Sequence, residues 1–391
     1  MSAAPSSKPN VLIYRDELLV YSETFIKTQA EALTAYTPHY VGTKANDAIP
    51  LAAQRTHVLN KGAVAGKLRE MSFKLTHRDP MFVNRLRALS PVLIHSHHGF
   101  DAMDALHLKR RLSIPLIAHF HGKDFTLKDE YMRRSVYRHR VFYDNEHKLQ
   151  AEGTLFIGVS QFSVDRLLER GYDPERVVCH YNSIDTDYFQ PDPSVDRSPI
   201  VLFVGRLTEK KGIKYLIQAM VSVQTAHPDV QLVIIGDGEL RAEAEALAQR
   251  LIKNYTFEGA QPAATVRSWM QRSRVFCVPS VIAASGDAET FGVVFAEAQA
   301  TGLPVVSFAT GGIPEVVLHG KTGYLASERN FEELGDYILK IISDGQQWQA
   351  FSQAGIKHVR ENFEITKQIV KLQALYSRVV GEHPQHKKGS I

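Results

Sequence analysis

Short apolar runs alternate along this chain with stretches in which apolar residues recur every three or four positions. The runs at 11–14, 92–94, 114–120, 155–159 and 177–181, and again at 200–204, 231–235, 275–278 and 304–308, are rich in Val, Ile, Leu and Phe. Uninterrupted runs of this length suit strands covered on both faces, as in parallel sheets. Helical spacing predicts helices over 213–226, 239–252 and 292–301, one from a Ser22 cap to about Ala35, and one from Ser160 to Arg170 closed by Gly171. Residues 331–382 also read as helical, with Phe363 and Tyr376 as apolar anchors. Strand and helix in alternation predict an α/β fold of parallel sheets whose ligands bind at the carboxyl ends of the strands. Residues 191–199 hold three prolines and no apolar pattern, which marks a linker between two domains.

Chemistry concentrates in the second half, around residues 277–317. A strand ending at Cys277-Val278 is followed by a loop with Gly286 and Asp287, then by a helix beginning near Phe291, Gly292, Val293 and Val294. Amides at a helix start lack intrahelical acceptors and so favour an anion such as a phosphate. Glu289 and Glu297 bracket these amides with seven residues between them. A carboxylate is repelled by phosphate, so a ligand role for this pair lies with hydroxyls on either side, as in a nucleotide sugar. The alternative is that Glu289 complements the helix dipole and Glu297 is solvated. Earlier, the strand 201–204 runs into Gly205-Arg206-Leu207-Thr208-Glu209-Lys210-Lys211-Gly212. Arg206 and Lys211 at a strand end offer a guanidinium fork and a mobile ammonium to a diphosphate.

With GRLTEKKG at 205–212, IIGDGELR at 234–241, CVPS at 277–280, the Glu289/Glu297 pair and GGIPE at 311–315, residues 200–365 resemble the carboxyl-terminal domain of retaining glycosyltransferases of family 4. That resemblance implies the GT-B fold, two Rossmann-like doubly wound domains facing across a cleft. Residues 1–190 would form an acceptor-side domain, 191–199 the linker, 200–365 the nucleotide-sugar domain, and 366–391 a helix crossing back plus a tail. It further implies transfer of a hexose from a nucleotide-diphosphate sugar to an acceptor hydroxyl, without a metal or other cofactor. Arg206, Lys211, Gly205 and the amides of Phe291, Gly292 and Val293 would take the diphosphate. Glu289 would take the sugar hydroxyls, Glu297 the ribose, and Gly311 and Gly312 would allow close backbone approach. His121 and Asp124, in HGKD at 121–124, fill the place of the family's His-Gly-x-Asp motif beside the sugar. Two departures stand out. The first loop, RDELLVYSETF, lacks the paired glycines of relatives, leaving amides near Ser22 to Phe25 as substitutes, and Ser183 stands where relatives carry glycine.

Composition narrows the partners. The 391 residues, with 44% hydrophobic and 23% charged, suit two globular domains. Cys179 and Cys277, both in apolar strand-like settings, form neither a disulfide framework nor a metal spacing, which predicts a reducing compartment. No run is long and apolar enough to span a bilayer, and MSAAPSSKPN has no signal-peptide core. The tails, 1–9 and 382–391, read as disordered. Residues 1–150 carry 22 Lys plus Arg against 14 Asp plus Glu, a net of +8 in a chain of net +4. Over 61–78, Leu68, Met71 and Leu75 share one helical face and the basic residues lie largely elsewhere, which suits either an anionic membrane surface or plain solvation. Arg133, Arg134, Arg138 and Arg140 add a second basic surface. No nucleic-acid module accompanies the charge. His95, His97, His98, His119 and His121 invite a metal, but no His-x3-His falls on a helix and no cysteine joins them.

Taken with the resemblance, these features imply a cytoplasmic enzyme, peripheral at most on the inner face of the plasma membrane, acting on an oligosaccharide or polyprenyl-linked acceptor in surface-polysaccharide assembly. A soluble acceptor is the alternative, as is a GT-B epimerase that needs no acceptor. A nicotinamide dehydrogenase would need G-x-G-x-x-G after the strand at 11–14, where none stands. A non-catalytic scaffold would not be expected to keep Arg206, Lys211 and Glu289.

Overall fold

The computed structural model describes residues 8–20, 23–76 and 78–383. The Ser22 cap and most of both tails therefore lie outside the described residues. The chain divides into two compact units, Met1–Tyr181 with Thr366–Ile391, and Asn182–Ile365. Each is built on a sheet in which every pairing is parallel.

In the first unit the strands are β1 (Asn10–Tyr14), β2 (Thr37–Lys44), β3 (Thr56–Asn60), β4 (Pro91–His97), β5 (Leu116–Phe120), β6 (Leu155–Gly158) and β7 (Val177–Cys179). Their order, β3-β2-β1-β4-β5-β6-β7, runs outward in both directions from β1 and β4. That pair is the switch point, where adjacent loops turn to opposite faces and open a crevice. β2 and β3 escaped the sequence reading because β2, TPHYVGTK, interrupts its apolar residues with Pro38, His39 and Gly42. The first helix is Thr24–Glu31, shorter than the reading to Ala35, since residues from Thr37 enter β2. Fully buried Phe73, Phe82, Phe120, Phe125, Phe142, Phe156 and Tyr172 dominate the core beneath this sheet. Tyr376, from the final helix Ile365–Glu382, is also fully buried in this unit.

In the second unit the strands are β8 (Ile200–Val204), β9 (Gln231–Ile235), β10 (Tyr255–Gly259), β11 (Val275–Cys277), β12 (Val305–Phe308) and β13 (Gly323–Ala326). The order β10-β9-β8-β11-β12-β13 puts this switch point between β8 and β11, with Val201 opposite Val275 and Leu202 opposite Phe276. β10 was missed because all five of its residues are only half-buried and no apolar run marks it. Residues 182–199 group with this unit. Ile184 pairs with Glu364, and Arg197 donates to the carbonyls of Met270, Ser273 and Thr301 at 2.6–2.8 Å, tying the proline-rich segment down. Cys277 is buried as expected, but Cys179 is exposed because it ends the edge strand β7.

Candidate functional site

The β8/β11 switch point gathers residues far apart in sequence. β8 ends at Val204, and the loop Gly205–Thr208 leads into a 3-10 turn, Glu209–Lys211. Gly212 follows at φ 64°, and a Cβ there would stand 2.0 Å from the Pro279 carbonyl oxygen, so only glycine lets this turn lie against the loop after β11. Across that contact the Lys211 ammonium donates to Oε2 of Glu289, and Lys210 Nζ lies 3.0 Å from Oδ1 of Asp287. Both pairs are largely shielded from water. Burial pushes the Glu289 carboxyl up, but Lys211 and Lys210, helped by Arg206, more than offset it and hold the group down at about 2. Arg206 itself is exposed and makes no ion pair among the described residues.

The helix Val293–Ala300 begins beside Glu289, capped by Gly292 in the left-handed region. Its first-turn amides at Val293 and Val294 have no intrahelical acceptor. Phe291 contributes differently from its neighbours, since its ring is buried edge-on against Phe363 at 5.1 Å and anchors the loop. Glu297, one turn into the helix, has no ion-pair or hydrogen-bond partner among the described residues. It stays half-exposed, yet its surroundings are dense enough that burial pushes its carboxyl up to about 7. Gly311 adopts φ 56°, and a Cβ there would lie 2.0 Å from the Glu289 carbonyl oxygen, while the Gly312 amide donates to that oxygen at 2.9 Å. Close approach at this glycine pair is thus made by the protein's own backbone, which fixes Glu289 from behind. The site brings together Arg206, Lys211, Glu289, Gly292, Val293, Gly311 and Gly312. Chemically it sets lysine ammonium groups, the Arg206 guanidinium and helix-start amides, groups able to meet an anion, beside one ionised and one easily protonated carboxyl.

The first unit presents a second cluster at the ends of β4 and β5. Register puts His97 beside His119, and period-two alternation turns His95, His97, His119 and His121 to one face. Tyr376 Oη lies 2.6 Å from His95 Nδ1, His95 Nε2 lies 3.2 Å from His119 Nδ1, and His97 Nδ1 lies 3.0 Å from His121 Nε2. Burial first, then the neighbouring imidazoles, hold His97 and His119 well below the usual histidine range, and burial with His180 holds His95 at about 3. His121 is held well below the usual histidine range by burial first, reinforced by His98 and Arg15. Ring nitrogens of His95, His97 and His119 come within 4.8 Å of one another. Sequence spacing could not reveal this grouping because the ligand atoms come from neighbouring strands. Both nitrogens of His95 lie at hydrogen-bond distance from a neighbour, and the His95–His119 and His97–His121 rings stack at interplanar angles of 12° and 17°. Asp124 is fully buried and accepts from the amides of Gly99 at 2.6 Å and Gly122 at 2.9 Å, tying the loops after β4 and β5 together.

The glycine-free loop after β1 is closed by charge. Arg15 bridges Glu23, at 2.5 Å, and Asp101, and reaches the His97 carbonyl at 3.4 Å. The Glu23 amide is taken by the Val20 carbonyl at 2.8 Å, so it is not a substitute phosphate donor. Arg15 could have been singled out as a cation at a strand end. Asp101, inside a helix, carried no such signal.

Residues 185–358 match the family described as "Glycosyl transferases group 1", and residues 23–188 match "Glycosyltransferase Family 4". The D-inositol 3-phosphate glycosyltransferase of Segniliparus rotundus is 28% identical over 304 residues, 70% of this chain and 64% of that protein. The amylovoran biosynthesis glycosyltransferase AmsK of Erwinia amylovora is 27% identical over 289 residues, covering 73% and 68%. The chain thus spans about two thirds of the length of these relatives. In fold, it superposes on Anabaena Alr3699/HepE, solved in complex with UDP-glucose, with a TM-score of 0.74 at 20% identity, covering 94% of this chain and 99% of that one. With the two family matches running from residue 23 to residue 358 and each parallel-sheet unit carrying one of them, the chain belongs to glycosyltransferase family 4 and has the GT-B fold.

Proposed function

We propose that this protein transfers a hexose from a nucleotide-diphosphate sugar to an acceptor hydroxyl, retaining the anomeric configuration. The observation that carries this reading is the convergence, at the β8/β11 switch point, of unpaired Arg206, the buried Lys211–Glu289 pair and the start of the helix Val293–Ala300. Breaking the bond from the anomeric carbon to the β-phosphate oxygen leaves charge on the diphosphate. Fixed positive groups placed where that charge grows lower the barrier. Arg206 and Lys211 with the Val293 and Val294 amides fill that role. Lys211 can leave Glu289 for the phosphate, and Glu289, ionised at any ordinary pH, then accepts from sugar hydroxyls. Glu297 accepts from the ribose. His121, a neutral imidazole, can bond a sugar hydroxyl without bringing charge, with Asp124 as its positioning residue. The leaving phosphate oxygen takes the acceptor's proton on the same face of the sugar. No step in this scheme needs a metal.

The acceptor we propose is a lipid-linked oligosaccharide in surface-polysaccharide assembly, presented at the cytoplasmic face of a membrane. The similarity to an amylovoran biosynthesis enzyme and the basic first 150 residues support it. No helix among the described residues is long and apolar enough to cross a membrane, so association would be peripheral. A small soluble acceptor is the second reading, favoured by the similarity to an enzyme named for D-inositol 3-phosphate. Thermal-shift screening of uridine and guanosine diphosphate sugars, followed by nucleotide release with polyprenyl-linked and with soluble acceptors, tests both. Stabilisation by a donor and acceptor-dependent release support transfer. Release that needs no acceptor would point to an epimerase.

A further inference from the structure

The helix Val64–Thr76 is oriented against the usual rule. Its one buried residue is Phe73, packed edge-on to Phe82 at 5.9 Å and to His107 at 4.6 Å. Successive residues of a helix are turned by about 100°, so Val64, Leu68, Met71 and Leu75 form one narrow stripe on the side opposite Phe73. All four are exposed, at 76%, 58%, 57% and 77%, and Met81, at the start of the next helix, is 77% exposed. Single exposed apolar residues are ordinary on a protein surface, but a stripe along a whole helix marks a contact.

The charges left unpaired around the stripe are basic. Glu70 is taken by Lys74 and Asn60, and Asp79 is taken by Arg69 and by its own helix start. Lys61, Lys67 and Arg78 are exposed and have no carboxylate partner among the described residues. A second segment is similar but less uniform. Tyr131, Val136 and Tyr137 are exposed at 46%, 63% and 78%, among Lys128, Arg133, Arg134 and Arg140, with exposed Asp129 and Glu130 alongside and Asp129 met by Arg170 at 3.3 Å. The two segments converge on Asp16, whose Oδ2 lies 2.9 Å from Lys74 Nζ and 3.9 Å from Arg138 Nη2, the residues adjacent to Leu75 and Tyr137.

We infer that these segments form one interfacial docking surface for an anionic bilayer, with the apolar side chains entering the acyl boundary and the free cations meeting lipid phosphates. A second copy of the chain docked here would bring like charges together, whereas an anionic leaflet complements them. The inference deepens the proposed membrane-held acceptor and rests on it, because such docking would bring the first unit to where a lipid-linked substrate resides.

Flotation of the full chain with phosphatidylglycerol and with phosphatidylcholine vesicles, without substrates, tests the surface apart from the chemistry. Wild type is expected to float with phosphatidylglycerol at least about tenfold better than with phosphatidylcholine. The triple variant Leu68→Ser, Met71→Ser, Leu75→Ser should lose about tenfold or more of that binding, with its melting temperature and its nucleotide release on a soluble acceptor unchanged. Lys61→Glu with Lys67→Glu provides an independent variant with the apolar stripe intact, expected to abolish the preference for phosphatidylglycerol. Negligible wild-type binding to both vesicles, or flotation unaffected by either variant, would overturn the inference. So would a triple variant that only converts a dimer to a monomer, or that only loses an acidic protein partner. Vesicle binding without any donor chemistry would instead count against the proposed function.

Discussion

The ammonium of Lys211 donates to Oε2 of Glu289 although 78 residues separate them, and the contact exists because β8 and β11 are neighbours at the switch point of the second sheet. On the proposed reading, a phosphate arriving there would compete with the carboxylate for the lysine and exchange an internal anion for a ligand one.

Lys211→Ala and Glu289→Ala should each lower turnover at least about tenfold, because each removes a group that the proposed reaction places against the donor. Steady-state nucleotide release together with circular dichroism of the variants checks this. Near-normal turnover in both folded variants would remove the site assignment.

Acid titration gives Glu289 a separate signature. Its folded value of about 2 lies below the ordinary carboxylate value of 4.5, so its contribution to stability is present above pH 4.5 and is lost as pH falls towards 2. The melting temperature of Glu289→Gln should therefore differ most from wild type above pH 5 and converge with it in acid.

Glu297 should behave in the opposite sense. Its folded value, about 7, exceeds 4.5, so the contribution is present below pH 4.5 and disappears as pH rises through 7. Relative to wild type, Glu297→Gln should gain on the order of 2 kcal/mol between pH 4.5 and pH 8, the full shift being discounted for the group's partial exposure to solvent, read by denaturant midpoints. With Glu297 accepting from the ribose as proposed, nucleotide binding should tighten for wild type across pH 6 to 8 and stay flat for the variant.

Asp124→Ala should destabilise the first unit by about 2 kcal/mol, since the amides of Gly99 and Gly122 would both lose their buried acceptor. Asp124→Asn, which keeps one carbonyl oxygen, should cost less. A thermal melt unchanged by the alanine substitution would contradict this positioning role.

Chelation should leave activity unchanged, because the scheme stabilises the diphosphate with Arg206, Lys211 and amides alone. Activity lost in chelator and restored by manganese or magnesium would require a different account of the leaving group.

The second unit was readable because its candidate groups follow strands with long apolar runs, as Gly205–Lys211 follows β8, and because Glu289 and Glu297 flank the start of one short helix, Val293–Ala300, within a few residues of each other in sequence. The first unit was less so. β2 hides behind Pro38 and Gly42, and the histidine stack depends on a register between β4 and β5 that no local spacing encodes. The ion pairs of Arg15 with Glu23 and Asp101 replace a glycine turn by tertiary contacts, which sequence separation conceals. The apolar face of Val64–Thr76 was visible as a face, but only burial told which way it points.

The most direct test of the central claim is proton NMR of the reaction while the donor is consumed. With the right nucleotide-diphosphate hexose and an acceptor, the account predicts that nucleoside diphosphate and a glycoside of the donor's own anomeric configuration appear together in equal amounts. Inverted product, or nucleotide released at the same rate when the acceptor is omitted, would contradict it.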